Sequence, residues 1–175
     1  MRVVAGELRG RRLHAPRGSA VRPTADRVRE AIFSILGDIG GTRVLDLFCG
    51  TGALGIEAVS RGADSAVLVD SSTALAHRNV ASLGLAERIE VVRADALRYL
   101  KRQQSRFDLV FCDPPYDLAE RLEADLGALV APLLAEGGRL ITESASRRPL
   151  ELDLPLETER RYGDTLIRVH TGPRG

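Results

Sequence analysis

Regular alternation between short apolar runs and amphipathic segments constrains this chain more than any other feature of its sequence. After residue 40, five runs with the length and composition of buried strands are separated by segments with helical periodicity. These predicted strands are residues 42–48, 65–70, 88–95, 107–113 and 138–144. Parallel strands joined by helices form sheets that are covered on both faces, so the pattern predicts an α/β fold with a doubly wound sheet.

The end of the sequence departs from this alternation. Two strand-like segments, 156–162 and 165–171, flank Gly163 and Asp164, and a Gly-Asp pair between two such segments predicts a tight hairpin. A mostly parallel sheet that finishes in an antiparallel hairpin is typical of class I methyltransferases with a Rossmann-like fold. A dinucleotide-dependent dehydrogenase would more usually continue with another parallel unit.

The first 40 residues follow a separate pattern. Short extended segments are interrupted at Gly6 and Gly10, and a helix is predicted over 24–36. We expect Thr24 to be the N-cap of this helix and Gly37 to end it. The sequence therefore predicts a small N-terminal β appendage over 1–22, outside the folding core, and a methyltransferase domain over 23–175.

Charge is distributed unevenly along the chain. The net charge is +1, yet residues 1–30 contain eight arginines and three acidic residues, which is a balance of +5. A basic segment on a slightly acidic body indicates a polyanionic partner, although a solvated basic tail is the simpler explanation of a charge run by itself. The arginines that we expect to contact such a partner are Arg9, Arg11, Arg12, Arg22 and Arg27, together with Thr24 in the turn before the helix.

Several classes of protein are disfavoured by the composition. No apolar stretch reaches the length of a membrane span, and the N-terminus lacks the apolar segment of a signal peptide, so we expect a cytoplasmic protein. The two cysteines, Cys49 and Cys112, suit neither a disulfide framework nor a zinc site. The three histidines show no metal-binding spacing, and no metal is expected.

A glycine-rich loop follows the first predicted strand. Gly50, Gly52 and Gly55 form a G-x-G-x-x-G pattern, and Asp70 lies 20 residues beyond the first glycine. This arrangement nearly matches the fingerprint of dinucleotide-binding proteins. However, Asp46 ends the strand three residues before the loop, and a carboxylate at that point would repel a pyrophosphate group.

Acidic residues at the ends of three successive strands favour a different ligand. S-adenosylmethionine has an ammonium group for Asp46, no phosphate, a ribose diol for Asp70 and an adenine amino group near Asp95. Phe48 and Ala96 complete the predicted cofactor-binding set. Each aspartate could instead cap a helix or a turn. Their repetition around one glycine loop makes S-adenosylmethionine the preferred interpretation over NAD.

The fourth predicted strand ends in the sequence Asp-Pro-Pro-Tyr, residues 113–116. Prolines cannot extend a strand, so the chain is held stiffly at this point. If the strand order reverses between the first and fourth strands, Asp113 lies at the switch point where ligands bind in open sheets. The Asp113 carboxylate and the Pro114 carbonyl could then accept the two N–H groups of an exocyclic amine, while Tyr116 stacks on its base.

These motifs carry a resemblance to a known family. The Asp-Pro-Pro-Tyr motif resembles that of amino-group methyltransferases acting on nucleic acids. Residues 2–13, 22–36, 46–63 and 160–165 together resemble the bacterial small-subunit rRNA guanine-N2 methyltransferases of the RsmD type. The resemblance implies catalysis around Asp113 and Tyr116, and RNA contact by the N-terminal arginines. It also implies that the substrate is one guanine of 16S rRNA in an assembling small subunit, modified by a monomer.

Three other functions remain as alternatives. A DNA adenine-N6 or cytosine-N4 methyltransferase can use the same Asp-Pro-Pro-Tyr motif, but usually carries a larger target-recognition region than residues 1–22 provide. An NAD-linked oxidoreductase would have no use for that motif. A non-catalytic RNA-binding assembly factor would keep the cofactor pocket only for structure.

Overall fold

A computed structural model describes residues 1–16, 23–115 and 125–172, together with residue 123; the side chains of 23–25 lie outside this description. Four helices have defined bounds: α1 Pro23–Leu36, α2 Ala53–Ser60, α3 Ala74–Ser82 and α4 Ala96–Arg102. The first four strands are β1 Arg43–Leu47, β2 Ser65–Asp70, β3 Ile89–Arg93 and β4 Phe107–Cys112. The last three are β5 Leu134–Ala145, β6 Leu156–Tyr162 and β7 Thr165–Thr171.

All seven strands form one sheet in the order β3-β2-β1-β4-β5-β7-β6. The first five strands are parallel to their neighbours, whereas β7 runs antiparallel to both β5 and β6. Gly163 has a φ of 60° in the two-residue turn between β6 and β7, a conformation that a hairpin of this length requires. The predicted doubly wound sheet with a terminal hairpin is confirmed.

Two hydrophobic clusters cover the two faces of the sheet. Helices α1, α2 and α3 contribute to one cluster, and α4 with the helical residues 125–130 contributes to the other. Alternate residues of β1 divide between them: Val44 belongs to the first cluster, and Leu45 and Leu47 to the second. Because successive side chains of a strand point to opposite faces, this division places helices on both sides of the sheet.

Three predicted boundaries differ from the structure. Helix α1 begins at Pro23, so Thr24 is not its N-cap; proline suits a first helical position because that residue needs no N–H partner. The helix predicted after Tyr116 falls partly outside the described residues and is followed by a 3₁₀ turn over Ala131–Leu133. Strand β5 begins at Leu134, four residues before the predicted start. No helix in the described part of the chain could span a membrane.

The N-terminal segment 1–16 is joined to the body of the protein. Val3 and Leu13 are buried in the α1–α3 cluster, and Arg2 bridges to Arg12 within the segment. Gly6 lies so close to α2 that a Cβ atom there would stand 1.8 Å from the Ser60 carbonyl oxygen. The prediction that this segment lies outside the folding core is therefore wrong for these residues. The division of the chain at residue 22 stays a prediction.

Glu57 of α2 holds the segment in place. Its carboxylate accepts the backbone N–H groups of Val4 and Ala5 at 2.8 and 2.9 Å, and is fully buried. Arg61 donates to the same carboxylate at 2.8 Å, and Arg29 lies 3.5 Å from it. This buried carboxylate therefore pairs with two arginines and satisfies two backbone N–H groups at once.

We expect Glu57→Ala to lower the free energy of unfolding by about 3–5 kcal/mol, because it leaves the N–H groups of Val4 and Ala5 without an acceptor and removes the buried carboxylate that pairs with Arg61 and Arg29. Urea unfolding followed by circular dichroism measures the change. Glu30→Ala, at an exposed position of α1, serves as the control and should change stability by less than about 0.5 kcal/mol. A Glu57 variant as stable as the control would show that the segment is not part of the folding unit.

Candidate active site

Two adjoining cavities lie at the carboxyl ends of the parallel strands. The larger, of about 270 Å³, is lined by residues that include Arg29, Asp46, Gly50, Asp113 and Glu143. The smaller, of about 160 Å³, is lined by residues that include Phe48, Asp70, Asp95, Ala96 and Asp113. Phe48 and Asp113 line both cavities. Strand order reverses between β1 and β4, so this is the switch point at which open α/β sheets bind their ligands.

The glycine loop between β1 and α2 depends on its glycines for different reasons. Gly50 and Gly52 have positive φ values of 54° and 78°. Gly55 has no room for a side chain, since a Cβ atom would lie 2.2 Å from Cδ2 of the buried Leu68. Phe48 also adopts a positive φ, 59°, which is uncommon for a bulky residue and is a feature of strained functional loops.

Asp46 lies at the base of the larger cavity. The residue is 2% exposed, and its Oδ2 accepts the N–H of Gly55 at 3.0 Å, which joins the end of β1 to the first turn of α2. Burial is the main cause that raises the pKa of Asp46 to about 7; the Gly55 hydrogen bond opposes this effect, and the nearby carboxylates of Asp113 and Asp70 add to it. A cation placed in the cavity would relieve this penalty.

Asp70 and Asp95 line the smaller cavity and also support the loops around it. Asp70 accepts the N–H groups of Gly50 and Ser72, each at 2.9 Å, and so holds the glycine loop against the end of β2. Asp95 is the N-cap of α4, with Oδ1 accepting the Arg98 N–H at 2.9 Å. The helix cap uses one carboxylate oxygen of Asp95, and the other oxygen accepts no hydrogen bond from any described residue.

The Asp-Pro-Pro turn follows β4. Cys112, the last residue of β4, pairs with Leu47 at the end of β1, so Asp113 emerges beside Phe48. Asp113 is exposed at the mouth of the cavities, yet the protein atoms packed around its carboxyl group raise its pKa to about 6. Pro114 is buried and Pro115 exposed; Tyr116 lies outside the described residues.

Several residues that line the larger cavity were not predicted from the sequence, and Arg29, Glu143 and Met1 are among them. Arg29 is 4% exposed on α1, Glu143 lies near the end of β5, and Met1 belongs to the N-terminal segment. Burial raises the pKa of Glu143 to about 7, with a further contribution from Asp113. In the sequence, Glu143 was marked only as an acidic residue near the end of a predicted strand. Nothing distinguished Arg29 from the other seven arginines of residues 1–30.

The predicted substrate-binding arginines lie partly within the described residues. Arg9, Arg11, Arg12 and Arg27 are exposed and belong to the N-terminal segment and α1. Arg22 is outside the described residues, as is the side chain of Thr24. Leu13 donates its N–H to the Met1 carbonyl at 3.0 Å, and Met1 lines the larger cavity, so the basic segment ends beside the cavity mouth.

Together these cavities suit a cationic nucleoside. Among the described residues, the one guanidinium that lines the larger cavity is that of Arg29, and five carboxylates line the two cavities: Asp46, Asp70, Asp95, Asp113 and Glu143. The zwitterionic amino-acid end of S-adenosylmethionine needs one acidic and one basic partner, and Asp46 and Arg29 are the candidates in the larger cavity. The fold and the site therefore define a class I methyltransferase.

Comparison with known proteins agrees with this assignment and narrows it. The model of the family described as "Conserved hypothetical protein 95" matches residues 1–171, and the chain belongs to this family. It is 33% identical to "Ribosomal RNA small subunit methyltransferase D" of Haemophilus influenzae, over 98% of this chain and 88% of that protein. It is 36% identical to "Putative rRNA methyltransferase YlbH" of Bacillus subtilis, over 97% and 98%.

A solved structure shows the same similarity in three dimensions. The structure described as "Putative methyltransferase yhhF from Escherichia coli" matches with a TM-score of 0.84 and 31% identity, over 99% of each chain. The chain is thus a methyltransferase, and the prediction of an RsmD-type protein is confirmed. The alternative of an NAD-linked oxidoreductase is wrong, because neither the family nor its structural relatives support it.

We expect binding of S-adenosylmethionine to release protons between about pH 6 and 7, because a bound cation favours the ionised forms of Asp46 and Asp113, whose pKa values are about 7 and about 6. Affinity should consequently fall as the pH drops through this range. Calorimetric titration in two buffers of different ionisation enthalpy measures the proton count. Asp46→Asn should release fewer protons than the wild type. Equal enthalpies in both buffers would contradict the expectation.

Proposed function

We propose that this methyltransferase modifies the exocyclic N2 amino group of one guanine in 16S rRNA of the assembling small ribosomal subunit. It would act in the cytoplasm as a monomer and without a metal. The observation that carries the proposal is the position of Asp113, which follows β4, lines both cavities and shares the larger one with Asp46. A nitrogen held at Asp113 would lie over the site that suits the methyl donor.

The donor would be held by residues of both cavities. Asp46 would accept from the ammonium group and Arg29 would pair with the carboxylate. Asp70 would accept from the ribose hydroxyls, and the free oxygen of Asp95 would accept from the adenine amino group, with Phe48 and Ala96 at the adenine faces. The positive φ values of Gly50 and Gly52 keep the loop backbone open toward the ligand. When bound, S-adenosylmethionine supplies a methyl group on a cationic sulfur.

Asp113 and Pro114 would orient the target amine. An exocyclic amine on a base is planar and a poor nucleophile, because its lone pair is delocalised into the ring. The Asp113 carboxylate and the Pro114 carbonyl would accept its two N–H groups and leave the lone pair directed into the cavity. These acceptors bind the nitrogen more strongly as positive charge develops on it, which stabilises the transition state over the ground state. Tyr116 would stack on the base.

Ribosomal RNA is supported as the substrate by the relatives and by charge. Relatives that match nearly the whole chain are named as rRNA methyltransferases. The exposed side chains of Arg9, Arg11 and Arg12 lie on a segment that ends beside the cavity. We propose that they contact phosphates flanking the target, together with Arg22, Thr24 and Arg27 around the start of α1. Such contacts fix register and leave base selection to the cavity.

Mass-spectrometric mapping of rRNA from cells with and without the gene tests the proposal. We expect one N2-methylguanine of 16S rRNA to disappear without the gene and to return when wild-type protein is supplied. Asp113→Ala should restore it poorly, because loss of a charge-assisted acceptor, about 3 kcal/mol, slows transfer on the order of 10²-fold. Unaltered 16S rRNA would refute the proposal, and loss of methylated adenine or cytosine from DNA would favour the DNA methyltransferase alternative.

We expect the double charge reversal Arg11→Glu and Arg12→Glu to weaken binding of the small-subunit particle at low salt while leaving stability and donor binding unchanged. Both side chains are exposed, and each lost phosphate contact lowers the salt dependence of affinity by about one unit of slope. Filter binding across a salt series measures this slope. The control is Arg102→Glu with Arg106→Glu. These exposed arginines precede the start of β4, whereas the cavities lie at the ends of the strands. Equal slopes for both double variants would move RNA contact away from the N-terminal segment.

A further inference from the structure

Glu143 occupies a defined place beside Asp113. Strands β4 and β5 are parallel neighbours, and Cys112 pairs with Thr142 in their register. Asp113 and Glu143 each follow by one residue, so they lie at adjacent strand ends and on the same face of the sheet. Both side chains line the larger cavity. The two carboxylates therefore face the same ligand from neighbouring strands.

The structure gives Glu143 no role in stabilising the fold. Its half-buried carboxylate has no hydrogen bond and no ion pair among the described residues. By contrast, Glu151 and Glu159 both pair with Arg168, whose register with Thr142 places it on the opposite face of the sheet from Glu143. Burial of an unpaired carboxylate costs free energy, as the raised pKa of Glu143 indicates. A donor from outside the protein would satisfy it.

The ring nitrogen next to the amine distinguishes the three bases that carry exocyclic amino groups. In guanine the neighbouring N1 bears a hydrogen and is a donor. In adenine the corresponding N1, and in cytosine N3, has a lone pair and is an acceptor. A carboxylate beside the amine-binding site would bond the first and repel the other two. Leaving a buried polar group unpaired against the wrong base is an effective source of discrimination.

We propose that Glu143 accepts the N1–H of the target guanine, while Asp113 and Pro114 hold the adjacent N2 amino group. Glu143 thus selects guanine over adenine and cytosine in a cavity whose amine-binding motif could serve all three bases. This inference rests on the proposed function, because it assigns a residue to the recognition of the same substrate. It also gives a physical reason why this chain would not be a DNA adenine or cytosine methyltransferase.

A base analogue isolates the proposed contact. 2-Aminopurine keeps the 2-amino group of guanine but has an unprotonated N1, which is an acceptor. Small-subunit particles are prepared with guanine or 2-aminopurine at the position that rRNA mapping identifies, and kcat/KM is measured for both. We expect the wild type to prefer guanine by about 100-fold or more. We expect Glu143→Gln to reduce this preference to about 10-fold or less, because the glutamine amide can donate to the unprotonated N1.

Two controls accompany this measurement. Glu136→Gln replaces an exposed glutamate of the same strand and should keep the wild-type preference. Calorimetry should show that Glu143→Gln binds S-adenosylmethionine within about three-fold of the wild type, as expected for a residue that contacts the base. Comparing this preference between the wild type and Glu143→Gln cancels any intrinsic difference between the two bases, because that difference is the same for both proteins.

The outcomes separate this inference from the proposed function. If the wild type methylates the guanine particle but Glu143→Gln keeps the wild-type preference, or loses activity on both templates by the same factor, Glu143 does not read N1. If the wild type methylates no guanine in the particle, the proposed function itself fails. A selective fall in the guanine preference, with donor binding intact, supports both.

Discussion

The hydrogen bond between the Asp46 carboxylate and the Gly55 N–H connects β1 to the helix that follows the glycine loop. It forms at the point where strand order reverses, and it holds an acidic side chain in a nearly inaccessible position. The cost of that burial is expressed in the raised pKa of Asp46, and a cationic ligand relieves it. Burial of Asp46 lowers the stability of the fold but places a carboxylate where a cationic ligand can bind, a conflict that is common at functional sites.

The N-terminal segment shows how one stretch of chain can belong both to the fold and to the surface. Its backbone donates hydrogen bonds to the side chains of Glu57 and Ser60 on α2. Its apolar side chains Val3 and Leu13 are buried in the α1–α3 cluster. The arginines between them point to solvent. A rigid segment with exposed cations loses less entropy on binding a polyanion than a free tail would, since its backbone is already ordered. The same segment contributes Met1 to the cavity wall.

The acidic lining of the cavities suits a cationic donor and an amine-bearing target, but not the pyrophosphate group of a dinucleotide. Asp46, Asp113 and Glu143 make the larger cavity acidic, which suits a sulfonium and excludes a pyrophosphate. Carboxylates left unpaired at strand ends are also the acceptors that an amine-bearing base requires. In the proposed function, this one electrostatic feature serves both the donor and the target. Burial is the main cause of the raised pKa values of these three acids, and neighbouring carboxylates add to it at Asp46 and Glu143.

The sequence by itself determined the class of fold, the glycine loop and the acids at the ends of β1 to β4, because strand periodicity and strand-end position are local properties of the chain. It also indicated the hairpin, since a Gly-Asp turn has specific backbone requirements. Only the tertiary structure showed that residues 1–16 are part of the core, that Arg29 is the buried arginine of the cavity, and that Glu143 adjoins Asp113. These features depend on contacts between residues that are far apart in sequence, such as Val4 with Glu57 and β4 with β5. Strand register and helix packing create such contacts, and both arise only when the chain folds.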